Sequence, residues 1–301
     1  MDWAILALLS AAIFGLVSIL DKYIVDHLSR NTRSILFIMG VFGVLICIPF
    51  FIADPSYSSY SLRAIGAAVA SGLIRGLSLA ILFWVLRKEE VSRALPVTQT
   101  YPIFVAILAA LFLNEQVGVL DWVAIVVIVA GAVLLSARRT PGALGGFLGS
   151  SFFLLTLSSL AVGASNFLGK DALSEMSTVQ VFTINFFAVG VAILSVSTSR
   201  DSVREAWAIV RNRPPNLVLF AADTLMALVG SYLLFASFVA GPVSGASALN
   251  ATRPLFVFIF VVVGSRLTPR LVYELLTPRI LALKLTAIAM IVGGTAALVV
   301  R

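Results

Sequence analysis

Residues 248–260 read ALNATRPLFVFIF, and residues 98–108 read TQTYPIFVAIL. Each sets a proline between a short polar cluster and a long apolar run. At a displacement of 152 residues Val91, Ser92, Thr100, Pro102, Phe104 and Val105 become Val243, Ser244, Thr252, Pro254, Phe256 and Val257. At 148, Leu6, Leu9, Gly15, Leu20, Lys22 and Ser29 become Leu154, Leu157, Gly163, Leu168, Lys170 and Ser177. At 163, Ala124, Ile125, Ile128, Val129, Gly131 and Leu135 become Ala287, Ile288, Ile291, Val292, Gly294 and Leu298. Three registers in chain order mark a duplication. The growth of the last one matches an insertion, TPRLVYELLTPR at 268–279.

What is duplicated follows from composition. The chain has 301 residues, 60% hydrophobic and 12% charged, with a mean hydropathy of +1.07; a soluble domain carries about 25% charged residues. Apolar runs recur at roughly the length, about 20 residues, that a helix needs to cross the hydrocarbon core. They predict ten helices, at 3–21, 34–53, 63–86, 94–113, 120–137, 146–169, 178–198, 216–240, 243–264 and 281–300. The expected fold is an all-α integral membrane protein of two five-helix repeats, 1–137 and 146–301, joined by a linker at 138–145. Five is odd, so the second repeat enters from the opposite side and the two are inverted, a plan of secondary transporters with a midplane site between repeats.

These residues resemble a known family. AAIFGLVSILDKYI in the first helix, the Thr-Tyr-Pro-Ile-Phe segment from Thr100 and LNEQVGVLDWVAIVVIVAGAVLL from Leu113 are similar to EamA domains of the drug/metabolite transporter superfamily. Within that last stretch Glu115 matches the family's acidic residue after the fourth helix and Gly131 the glycine of the fifth. The resemblance implies a membrane transporter of small molecules. It also implies basic cavity residues for anionic cargo, as in relatives that carry phosphorylated sugars. Small multidrug members instead place a glutamate in the first helix, and the predicted helix 3–21 has no embedded acid. The place in the second repeat that corresponds to Glu115 is Leu267.

Basic residues lie mostly on one set of loops, including Arg30, Arg33, Arg87, Lys88, Arg138, Arg139, Arg200, Arg204 and Arg211; the other face has Arg63, Lys170 and Arg301. The positive-inside rule puts both termini outside the cytoplasm, opposite to the usual family orientation, in a cell membrane. The first helix reads as retained rather than as a signal peptide. SRDSVREAWAIVRNRPP, from Ser199, sets Val203, Ala206, Trp207 and Val210 on one helical face and arginines around the other, so it suits an anionic leaflet or serves as a solvated linker.

Charges inside the apolar runs are the candidate site. An arginine at the centre of a span costs about 2.5–3.5 kcal/mol and marks a substrate path by default. Arg253 and Arg75 hold such places; Arg253 stands where the first repeat has Tyr101. The alternative for Arg253 is a bond to a carbonyl freed by Pro254. Asp223 aligns with Ser71, one turn from Arg75, so an Asp223–Arg75 ion pair is expected. Lys22 and Lys170 are repeat-related and either contact substrate or snorkel to headgroups. Thr98, Gln99 and Tyr101 in helix 4, Asn250 in helix 9 and Asn166 in helix 6 supply neutral polar groups. Gly72/Gly76 and Gly241/Gly245 have the spacing of close helix contacts.

Other classes find less support. Cys47 and His27 are the only residues of their kinds, which disfavours disulfides, thiol chemistry and a His/Cys metal site. There is no nucleic-acid motif, no Walker-type phosphate loop, and no acid/base or metal constellation of the kind an enzyme needs. The reading is a secondary active exporter or exchanger of a small anionic or zwitterionic metabolite. A flippase of a lipid-linked substrate is the alternative, and a membrane-embedded enzyme the lesser one. No cofactor is expected; the partners are the lipid bilayer and a small-molecule substrate, not nucleic acid, with the chain a monomer or homodimer.

Overall fold

A computed structural model of the chain describes residues 2–28, 31–54, 56, 60–85, 97–113, 115–136, 150–212, 214–267 and 278–299. The linker at 138–145, Glu89, Glu90 and most of the 268–279 insertion lie outside the described residues. Every element among the described residues is helical: α1 (Asp2–His27), α2 (Thr32–Ala53), α3 (Leu62–Val85), α4 (Tyr101–Phe112), α5 (Val119–Ser136), α6 (Ser150–Ala172), α7 (Thr178–Ser197), α8 (Arg200–Asn212), α9 (Pro214–Ala240), α10 (Val243–Asn250), α11 (Arg253–Leu267) and α12 (Pro278–Val299).

Eight stretches are long and apolar enough to cross a membrane, with α10 and most of α11 counted as one; two shorter apolar helices are Tyr101–Phe112 and Val119–Leu134. The expected continuous helix at 243–264 is thus broken at Ala251 and Thr252. Pro254 has no N–H to give the carbonyl of Asn250, and Thr252 turns its hydroxyl back to the Leu249 carbonyl at 2.7 Å. The first half makes the same turn: Thr100 Oγ1 donates to the Val97 carbonyl at 2.7 Å, ahead of Pro102. Helix α8 forms where the basic loop was expected to be helix or linker. It buries Ala206 with Ile24, Ile35, Ile38 and Phe220, with Val210 packed alongside, while Trp207 and Val203 point outward.

The packing repeats itself at the offsets already read from the sequence. Ser10 Oγ donates to the Gly230 carbonyl at 2.7 Å, and Ser158 Oγ to that of Ser78 at 3.1 Å. A Cβ on Gly15 would stand 3.1 Å from Phe256 Cβ, and one on Gly163 2.9 Å from Phe104 Cβ. At the α5–α12 crossing Gly131 meets Ala287 and Ile291, and Gly294 meets Ala124 and Ile128. One relation is unequal. Helix α3 lies hard against α7, whereas α9 touches α2 only lightly and α8 sits against both.

The end of α2 is tied to the start of α7, where Ser177 and Gln180 form a capping box. Gln180 Nε2 donates to Asp54 Oδ2 at 2.7 Å and to Ser56 Oγ at 2.9 Å. The Ser56 hydroxyl, then its amide and Gln180, hold the half-buried Asp54 carboxyl below its ordinary range. A lowered folded value means that this tie is present above the ordinary carboxylate pKa and is lost as pH falls through the lowered one.

Candidate functional site

The breaks in the two short-helix pairs meet at the centre. Tyr101, first residue of α4, donates its hydroxyl to the Ser247 carbonyl and to Asn250 Oδ1, each at 3.1 Å. Asn250, last residue of α10, donates Nδ2 to Ser10 Oγ at 2.9 Å. Asn166 on α6 donates to Ser247 Oγ at 3.2 Å and accepts from Arg75 Nη1 at 3.1 Å. On the α4 side Ser159 lies 3.0 Å from Thr100 Oγ1 and 3.5 Å from the Thr98 carbonyl, the group that Pro102 leaves without its helical amide. Gln99 is buried in the same turn.

Arg253 opens α11. Its guanidinium stacks over the Phe14 ring, 4.6 Å from the centroid, in an arrangement that favours a cation over an aromatic face. Its buried Nε has no hydrogen-bond partner. Tyr101, Arg75 and Asp21 all lie within electrostatic reach of it. Arg75, Ser165, Asn166, Asn185, Ser231, Leu234 and Phe235 line a polar cavity of about 10 Å³, room for about one water molecule. Among the described residues no group of three or more His, Cys, Asp or Glu side chains is placed to hold a metal.

Seven expected residues, Arg253, Arg75, Tyr101, Asn166, Asn250, Thr98 and Gln99, therefore come together. Three others lie elsewhere. Lys22 is exposed near the end of α1. Lys170 donates to the carbonyls of Phe238 and Gly241 at the end of α9, the latter at 3.3 Å, a placement that satisfies carbonyls a helix C-terminus leaves open. The expected Asp223–Arg75 ion pair is not formed: Arg75 is bonded to Asn166, Asp223 Oδ1 is unpartnered, and Asp223 faces Asp21. A first helix ending at residue 21 leaves Asp21 at the membrane edge; α1 runs on to His27 and puts this acid inside the span. The signal available was the repeat itself, which sets glycine, Gly169, in the matching place.

Glu115 also has a definite task. It accepts from the amides of Val243 at 3.0 Å and Ser244 at 3.3 Å, and from the Ser244 hydroxyl. A residue of the first half thereby caps the first turn of α10, where open N–H groups and the helix dipole favour a carboxylate. Replacing Glu115 with Ala removes that charged cap. The expected cost is about 1–2 kcal/mol, read as a lower thermal unfolding midpoint in detergent; an unchanged midpoint would show that the cap contributes nothing.

The EamA-like transporter family model matches residues 1–137. The match covers a little less than half of the chain and points to a membrane transporter rather than an enzyme. An uncharacterized transporter in the cobO 3′ region of Sinorhizobium is 27% identical over 136 residues, 45% of this chain and 96% of that protein. An uncharacterized protein of Methanocaldococcus jannaschii is 24% identical over 137 residues, 45% of this chain and 98% of that one. Each relative is thus matched over almost its whole length by less than half of this chain. A solved crystal structure shares the fold over 100% of this chain and 96% of its own, with a TM-score of 0.71 at 13% identity.

Proposed function

We propose that the chain is a secondary active transporter of ten spans in two inverted five-helix repeats. It moves a small anionic or zwitterionic metabolite out of the cell, or in exchange, by alternating access through a central site. The observation that carries the reading is the pair Arg75 and Arg253, both beside the Tyr101–Asn250 hydrogen bond at the helix breaks. Neither forms an ion pair among the described residues, where Arg63–Asp171 is the one salt bridge. Two guanidinium groups without a salt-bridged carboxylate in an apolar surround, Arg253 meeting Asp21 only through its longer-range charge, favour an anion as a further partner. Support for the repeats comes from the reciprocal contacts of Gly15 and Gly163, of Gly131 and Gly294, and of Ser10 and Ser158. Relatives about half as long as this chain are also what a duplicated unit would leave.

The cavity beside Arg75 is too small for a metabolite, so helices must part for cargo to reach it. Counterflow in proteoliposomes tests the reading. Carboxylates, phosphorylated sugars and nucleotides are offered against the same compound inside. At least one anionic class is expected to exchange, and exchange confined to cations overturns the assignment.

The basic face, which carries α8, is placed at the cytoplasm and both termini outside. A cysteine put at position 140 in a Cys47→Ser background is expected to resist an impermeant thiol reagent in intact cells. Labelling from outside would reverse the orientation.

A further inference from the structure

Two carboxylates lie on facing helices inside the span, and the hydrogen-bond network at the centre uses neither. Helices α1 and α9 run antiparallel: Trp3 packs on Gly241, Ser10 bonds Gly230 and Ile24 clusters with Phe220. Counted outward from the contact of Phe14 with Gly230, at one rise per residue on both helices, Asp21 and Asp223 fall at one level. Their charges are within reach of each other. Asp223 is 4% exposed and its Oδ1 accepts no hydrogen bond. Asp21 is within reach of Arg253, whose Nε is likewise open.

Nothing else among the described side chains balances this trio. Of the helices packed against α9, α7 and α10 carry no charge. Arg33 on α2, and Asp2, Lys22 and His27 on α1, are exposed. Lys170 on α6 is turned to carbonyls at the other end of α9, and its neighbour Asp171 pairs with Arg63. On α8, Glu205 accepts from Ser34, and Arg200, Asp201, Arg204 and Arg211 are exposed. Arg75 reaches Arg253 but faces Asn166. Fully ionised, two carboxylates and one guanidinium leave a net negative charge in a poorly solvated place, which is costly. One proton removes it, as when two close carboxyls share a proton.

The other half shows what this joint looks like without acids. At the same offsets Asp21 and Asp223 become Gly169 and Ser71. There Ser71 donates to the Ser165 carbonyl and accepts from Asn185, each at 2.7 Å, and α3 is sealed against α7. On α2 the place of Asn185 is taken by Phe37, which offers no donor, and α9 stands off.

We infer that Asp21 and Asp223, with Arg253, bind one proton whose arrival lets α9 close on α2 and whose release reopens that joint. That the same proton drives cargo rests on the transport reading above. Closing the joint removes what is left of the exposure of Asp223, 4% here, which a carboxylate resists and a carboxylic acid tolerates. Acid therefore shifts the population toward the closed joint and alkali toward the loose one.

Two measurements that need no cargo test this, so a failed transport assay leaves them readable. Infrared difference spectra of the protein in nanodiscs, taken across pH, are expected to show one protonated-carboxyl band that disappears in a single transition. Asp223→Asn and Asp223→Ser are expected to lose it; the second places there the residue that Ser71 already supplies in the other half. A band that survives these changes and Asp21→Asn overturns the site, as does one that follows sodium at fixed pH. For the coupling, Val44→Cys and Leu228→Cys, the repeat equivalents of the touching pair Ala192 and Gly76, are combined with Cys47→Ser. Relative to the same pair in Asp223→Asn at each pH, which cancels the pH dependence of thiol reactivity, cross-linking is expected to match in acid and fall several-fold in alkali. A ratio that does not change with pH overturns the coupling.

Discussion

Replacing Arg253 with Ala is expected to reduce exchange of an anionic cargo by about ten- to a hundredfold, while the protein still folds. A hydrogen bond to a charged group contributes about 1.5–3 kcal/mol, and each 1.4 kcal/mol is a factor of ten. Arg253 contributes a stacking contact with Phe14 and no ion pair among the described residues, so its loss breaks no salt bridge, and the charge removed beside Asp21 is met by further proton uptake at the two acids. Thermal unfolding of the purified variant separates the two effects. Exchange at the unaltered rate, from protein that folds normally, would remove Arg253 from the site and with it the argument for an anionic cargo. Arg253→Lys is the sharper comparison: it keeps the charge but loses the planar fork that matches carboxylate and phosphate, so partial activity is expected.

Gly72→Leu is expected to abolish folded protein. Even the first added carbon would lie 2.2 Å from the Asn185 carbonyl oxygen and 2.6 Å from Ala188 Cβ, and neither backbone nor a methyl group on a packed helix can yield that far. Overpacking commonly costs about 1–3 kcal/mol and more where backbones touch; here the whole α3–α7 contact is at stake. Gly66 on the same helix is the control, since a Cβ there meets nothing within 4 Å and Gly66→Ala removes only a helix-weakening glycine. Size-exclusion profiles of the two variants should part cleanly. A monodisperse Gly72→Leu would mean that α3 and α7 lie farther apart than described.

The spans were legible because lipid imposes length and apolarity on every crossing segment, and those constraints act within the segment. The central cluster was legible too: prolines at 102 and 254 interrupt two helices and bring polar side chains with them. What escaped depended on contacts between segments. Asp223 aligns one turn from Arg75 in the repeat alignment, but α9 lies along α1 and α3 along α6, so the acid faces Asp21 and the arginine faces Asn166. Asp21 followed by Lys22 looked like the edge of a helix, which is how charges at a membrane boundary usually read. Helix α8 carries a strong amphipathic pattern, yet the sequence does not say that Ala206 is its inward point rather than Trp207.

The unequal joints bear on how such a molecule leaks. One face is shut by glycine and alanine at backbone distance, a seal that must be broken everywhere at once. The other is stopped by α8, whose Trp207 is 68% exposed, resting against α2 and α9. On the transport reading proposed above, lifting a short helix is the smaller barrier, so spontaneous opening is expected to favour that side and to give the resting protein the bias of a one-way valve.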